Sequence, residues 1–134
     1  MSIPAAKSYA RPGRQPDFEV RYHFYSAEEG GRQSAPRQHI RWDFLYHGDD
    51  PQHDGIYAIY PEFLDPTGSP LSDGPVPYDG VAHMFVLNPE MREQVHRQRI
   101  AVGVKGYFVE GAKRVAECEV TKLIGLSKTS TDST

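Results

Sequence analysis

The feature that most constrains this chain is a strict alternation that begins at Phe18. Phe18, Val20, Tyr22 and Phe24 are apolar or aromatic, and Glu19, Arg21, His23 and Tyr25 stand between them. A period of two is the mark of a strand with one face buried, since successive side chains of a strand point to opposite sides. The pattern returns at Ile40, Trp42, Phe44 and Tyr46, set against Arg41, Asp43 and His47. A shorter strand is predicted at 56–60, stopped by Pro61. Residues 81–87 are apolar on both faces apart from His83, as expected of a central or barrel-lining strand. Two further strands, at 105–110 and 114–123, flank Gly111, Ala112 and Lys113, which read as a compact hairpin turn. Asn88, Pro89 and Glu90 place a capping residue, a first-turn proline and an acid in order, but Gly103 follows soon after. One helical turn and no more is expected there.

About six short strands with 12 glycines and 11 prolines in 134 residues point to an all-β barrel or sandwich. Val20, Tyr22, Phe44, Phe85, Val109, Cys118 and Val120 are the expected core. The length is that of one domain. Residues 1–16 and 127–134 lack apolar periodicity and read as mobile tails around a body at 17–126. The stretch 48–80 holds six prolines and five glycines. It is either one long irregular insertion or two loops around the 56–60 strand, and either a binding surface or a surface excursion with no role. A net charge of -3 argues against a dedicated nucleic-acid binder. A single cysteine, Cys118, cannot form an internal disulfide. The N-terminus has no apolar run of the signal-peptide kind, and nothing approaches the ~20 apolar residues of a membrane helix. The expected compartment is the cytoplasm, with no membrane association.

Catalytic signatures are missing. There is no phosphate-cradling GxxxxGK[ST] run, no GxGxxG, no HExxH and no GxSxG. Asp65, Pro66, Thr67 and Gly68 match DxxG formally, in a proline-rich setting with no phosphate loop. Cys118 shares a face with Ala116 and Val120 and reads as a small core residue. His47, Asp49, Asp50, His53 and Asp54 crowd into eight residues. His47, Asp49 and His53 are weak metal-ligand candidates, but turn chemistry accounts for such a loop equally, and a solvated loop is the preferred reading. No cofactor is expected. Arg92, His96, Arg97, Arg99 and Lys105 form a basic run, which Lys113 and Arg114 would join if the last hairpin folded back on it. Such a run is either an RNA-steering patch or a soluble rim. Without interleaved aromatic residues the rim is preferred.

Two distant segments resemble a known family when taken together. Ala27-Glu28-Glu29-Gly30-Gly31-Arg32 follows the first strand, and Glu110-Gly111-Ala112-Lys113-Arg114-Val115-Ala116 leads into Val120-Thr121-Lys122-Leu123-Ile124. They resemble the EEGGR loop, REGGRTVG-type hairpin and VTK strand of the C-terminal β-barrel domain, domain III, of translation elongation factor Tu. Arg41-Trp42-Asp43-Phe44 falls where that family has its YRPQF strand, and Val76-Pro77-Tyr78-Asp79-Gly80 falls near its MPGD turn. Small free-standing bacterial proteins with this single domain resemble the chain more closely than the full factor does. The resemblance implies a closed six-stranded antiparallel Greek-key barrel. It also implies tRNA contacts at Glu110 and Gly111. The family's contacting glutamine is Asp43 here, and an acid repels phosphate. The two other domains of the factor, including the GTP-binding one, have no counterpart in the chain, so no GTPase activity is expected.

The expectation is therefore a cytoplasmic, non-enzymatic binding module with an unidentified protein partner. The first alternative is RNA binding near translation through Arg97, Arg99, Glu110, Gly111, Lys113 and Arg114. A metal-dependent enzyme at the histidine-aspartate loop ranks last.

Overall fold

The computed structural model describes residues 15–126 apart from Ala112. Of the two expected tails, only residues 15 and 16 fall within it; 1–14 and 127–134 lie outside the described residues. Six strands are present: β1 (Phe18–Phe24), β2 (Trp42–Tyr46), β3 (Tyr57–Leu64), β4 (Asp79–Val86), β5 (Lys105–Glu110) and β6 (Lys113–Leu123). They close into a barrel in the order β1-β4-β3-β2-β5-β6, and every neighbouring pair is antiparallel. Strands β2, β3 and β4 run as a meander and β1 lies beside β4, which is Greek-key order. Closure gives each of these six strands a partner strand on both sides over at least part of its length, which leaves little edge for another chain to extend.

The alternation is what fills the barrel. Phe18, Val20, Tyr22 and Phe24 of β1 all point inward and are buried, as are Trp42, Phe44 and Tyr46 of β2. Of the expected core, Val20, Tyr22, Phe44, Cys118 and Val120 belong to this interior; Phe85 and Val109 are also buried, outside that cluster. Aromatic rings dominate. Phe24 packs against Trp42, Phe63 and Phe108 with ring centroids 5.3–5.8 Å apart, in the tilted and edge-on geometries that ring quadrupoles favour.

Two sequence expectations need correction. The third strand does not stop at Pro61 but runs through it to Leu64. Its ladder to β2 ends at Ile59. Beyond that point the buried amide of Gln38 stands in for a strand, donating to the Phe63 carbonyl and accepting from the Phe63 N–H at 2.9 and 2.8 Å. Pro61 has the same parity as Phe63, so its nitrogen faces the side from which β2 has departed, and the missing N–H costs no ladder bond. The 48–80 stretch is accordingly two loops around β3. The second correction is the helix. Pro89–Met91, a π-helical turn at Arg92–His96, and Arg97–Arg99 form one continuous segment, here α1. Asn88 caps it, accepting from the Glu90 and Met91 N–H groups, which is the expected cap. The segment outlasts its weak periodicity because tertiary contacts hold its far end.

Those contacts close one pole of the barrel. His96 and Ile100 are buried there with Leu126. Arg92 donates to Asp17 Oδ1 at 2.5 Å and to the Gly125 carbonyl at 2.9 Å. Asp17 is fully buried, and its second oxygen accepts from the Val86 N–H at 2.7 Å. The two ends of the described chain meet at this pole. Gly125 N–H donates to the Pro16 carbonyl, and the Ile124 and Leu126 N–H groups donate to that of Asp17. The opposite pole is covered by the antiparallel crossing of 36–38 with 74–76, which brings Val76 into the core.

The Gly30-Gly31 pair has two separate reasons. Gly30 sits at φ +94°, in the region that favours glycine. At Gly31 the constraint is space: an added Cβ would lie 2.1 Å from the Tyr25 carbonyl oxygen. Gly31→Ala is expected to cost about 1–3 kcal/mol, the scale of overpacking, read as a lower thermal midpoint. An unchanged midpoint would mean that the loop moves away freely.

Candidate functional site

The outward side chains of β4, β1, β6 and β5 follow from the same alternation that builds the core. Pairing register sets them in two transverse rows. His23 lies opposite Asp79 on one side and Glu117 on the other, with Tyr107 beyond. Two residues further along the strands, Arg21 lies between Val81 and Glu119, with Lys105 beyond. Between the rows run Gly80, Tyr22, Cys118 and Gly106. Tyr22 and Cys118 point inward, and a Cβ on Gly80 or Gly106 would meet Tyr22 or Phe44 of the core. The floor between the rows is thus bare strand backbone. The result is an open groove of about 600 Å³ across the barrel wall, ending near His47.

Its walls are held by polar contacts. Arg21 pairs with Glu119 at 3.2 Å, and His23 Nδ1 with Asp79 at 2.6 Å. The hydrogen bond to Asp79 raises the His23 pKa above its ordinary value, opposed by partial burial and assisted by the charges of Asp79, Glu29 and Glu117. Tyr25 donates its hydroxyl to Glu117 at 2.9 Å; burial first, then this carboxylate, pushes the tyrosine up to about 12. His47 Nδ1 and the Tyr107 hydroxyl are hydrogen-bonded at 2.8 Å, and the Arg114 guanidinium lies 4.1 Å over the Tyr107 ring. Glu117 and Lys105 have no ionic partner among the described residues.

The residues singled out in the sequence are not brought to one place. The β5–β6 hairpin carries Glu110, Gly111, Lys113 and Arg114 to the pole opposite α1, so it does not fold back on Arg97 and Arg99. The six residues of β5 alone separate them by about 17 Å. Arg97 pairs with Glu93 at 2.7 Å, and Arg99 grips both oxygens of Asp49 at 2.8 and 3.1 Å. His96 is no surface cation: it is fully buried. Glu110 accepts from Trp42 Nε1–H at 2.8 Å and pairs with Arg32 at 2.9 Å. The arginine of the EEGGR-like loop thereby meets the glutamate of the hairpin. Gly111 turns at φ +62°.

In the histidine-aspartate loop, Asp49 is engaged by Arg99, and His47 by Tyr107. His53 contacts Asp50, whose other oxygen accepts from the Gln52 N–H. Among the described residues no group of three or more His, Cys, Asp or Glu is placed to hold a metal ion. Burial pushes the Cys118 thiol up, away from the reactive thiolate. No helix among the described residues is long and apolar enough to cross a membrane. The groove residues carried a sequence signal, the polar half of the β1 alternation, but their neighbours on β4, β5 and β6 are set by register alone. No protein-family model matches the chain, and no curated protein matches it in a sequence search.

Proposed function

We propose that this protein is a non-enzymatic binding module, acting in the cytoplasm, whose partner is another protein held on the outer wall of the barrel. The observation that carries the reading is the groove with its mixed charge. Two cations, Arg21 and Lys105, stand among three carboxylates, Asp79, Glu117 and Glu119. That balance suits the mixed surface of a protein and opposes the uniform negative charge of a nucleic-acid backbone. Wall residues already tied by ion pairs lose little side-chain freedom on binding, which lowers the cost of association. The closed six-stranded barrel also supports kinship with domain III of elongation factor Tu, and the Arg32–Glu110 pair between the two resembling segments adds to it.

RNA binding is the second reading, favoured by the exposed Lys113 and Arg114 beside Glu110 and Gly111. A patch this small neutralises few phosphates, so its affinity would be weak and steeply salt-dependent. One experiment separates the two. The immobilised full chain is challenged with lysate of its source cell, with and without ribonuclease. Protein capture is expected to survive ribonuclease and to be lost in the Arg21→Glu, Lys105→Glu double variant. Capture of RNA that ignores those changes and fails with Lys113→Ala, Arg114→Ala would establish the second reading instead.

A further inference from the structure

The groove offers more than a general surface, and this step rests on the protein-binding reading. Three of its five formal charges have a partner within it, Arg21 with Glu119 and Asp79 with the His23 ring. Two do not. Glu117 receives a tyrosine hydroxyl and faces His23 across the ladder, but neither it nor Lys105 is in an ion pair among the described residues. These two lie on adjacent strands and are offset by two residues, since Glu117 pairs with Tyr107 and Lys105 with Glu119. Such a diagonal pair stands about 7–8 Å apart. An extended peptide presents side chains i and i+2 on one face, about 7 Å apart. The spacing of the open charges on the wall therefore matches the spacing of alternate side chains on an extended ligand.

The closed ladder adds a second constraint. Every strand of the groove is paired on both sides, so a ligand cannot be recruited by adding a strand. Recognition has to come from side chains across the bare floor. We infer that the groove takes an extended peptide segment carrying a basic and an acidic residue two positions apart, the base seated on Glu117 and the acid on Lys105. The carboxylates along the groove exclude a phosphate-rich chain, and the opposite charges of the two open positions disfavour a segment of uniform sign.

The test uses fluorescein-labelled, end-blocked seven-residue peptides and the full chain, read by fluorescence anisotropy at low ionic strength. One peptide has Lys-Ser-Asp at its centre, one has Lys and Asp adjacent, one has Lys-Ser-Lys and one has Asp-Ser-Asp. The Lys-Ser-Asp peptide is expected to bind about tenfold more tightly than the other three, the scale of two exposed ion pairs. Glu117→Gln and Lys105→Met should each weaken it about threefold. Both sites are exposed, and circular dichroism checks that the barrel persists. Equal binding of all four peptides, or binding indifferent to both substitutions, would overturn the inference. If the lysate experiment captures a protein through the groove while no peptide binds, the inference falls and the protein-binding reading stands. If both fail, both fall.

Discussion

Replacing Asp17 with alanine is expected to cost about 3–5 kcal/mol, the sum of a lost charge-assisted hydrogen bond to Arg92, which keeps Glu93 as a second ionic partner, and a buried Val86 N–H left without its acceptor. Asp17 is fully buried and joins three parts of the chain through one carboxylate: Arg92 of α1, the Val86 N–H at the end of β4, and its own place ahead of β1. Alanine leaves a largely buried guanidinium and a buried N–H without this acceptor. Against a typical total stability of about 5–15 kcal/mol, that loss brings the barrel close to unfolding. Asn at this position keeps an acceptor for the Val86 N–H and removes only the charge, so Asp17→Asn should fall between the two. Urea denaturation at neutral pH measures both. A loss below about 1 kcal/mol for the alanine variant would mean that Glu93, the Gly125 carbonyl and water satisfy Arg92 without Asp17.

The second large effect is acid sensitivity centred on His96. Its side chain is fully buried, near Tyr57 and stacked on Tyr46, whose hydroxyl is 2.7 Å from Nδ1. Nε2 has no hydrogen-bond partner among the described residues. Burial lowers the pKa from 6.5 to about 4, with Asp17 opposing the shift and Arg99 adding to it. The unfolded chain takes up the proton from about pH 6.5 downward, while the folded chain refuses it until about pH 4. Stability is therefore lost as pH falls through that window, by about 3 kcal/mol in all, and no further loss comes from this group below it. Denaturation midpoints between pH 7 and pH 4 should show the decline, and His96→Phe should flatten it by that amount, whatever its own cost from the unpaired Tyr46 hydroxyl. An identical decline in wild type and variant would place the acid sensitivity elsewhere.

Which residues face the interior was readable from period two in β1 and β2, because one face of a strand must be dry. Cys118 was readable as core for the same reason. Pro61 misled, because whether a proline ends a strand depends on whether its nitrogen faces a partner, and Gln38, which fills that side, lies more than twenty positions away. The length of α1 was hidden because its hold comes from Asp17, Gly125 and the barrel pole rather than from its own periodicity. His96 looked like one more charge in a basic run; only the π-helical turn that directs it inward separates it from Arg97. The groove was half legible. The outward residues of β1 were identifiable, but Asp79, Glu117 and Tyr107 join them through ladder register, which local pattern does not encode.

The meeting of the two ends of the described residues at one pole has a mechanical meaning. Phe18 opens β1 directly opposite Leu123, the last residue of β6, and the Pro16–Gly125 bond lies just outside that pair. A load applied between the two ends acts across the β1–β6 seam at its tip, not along its length. The bonds of that seam then break one after another, as a zip opens, instead of sharing the load as they would in shear. For all its closure against other chains, the barrel is built to part at low tension when it is pulled from residues 16 and 125.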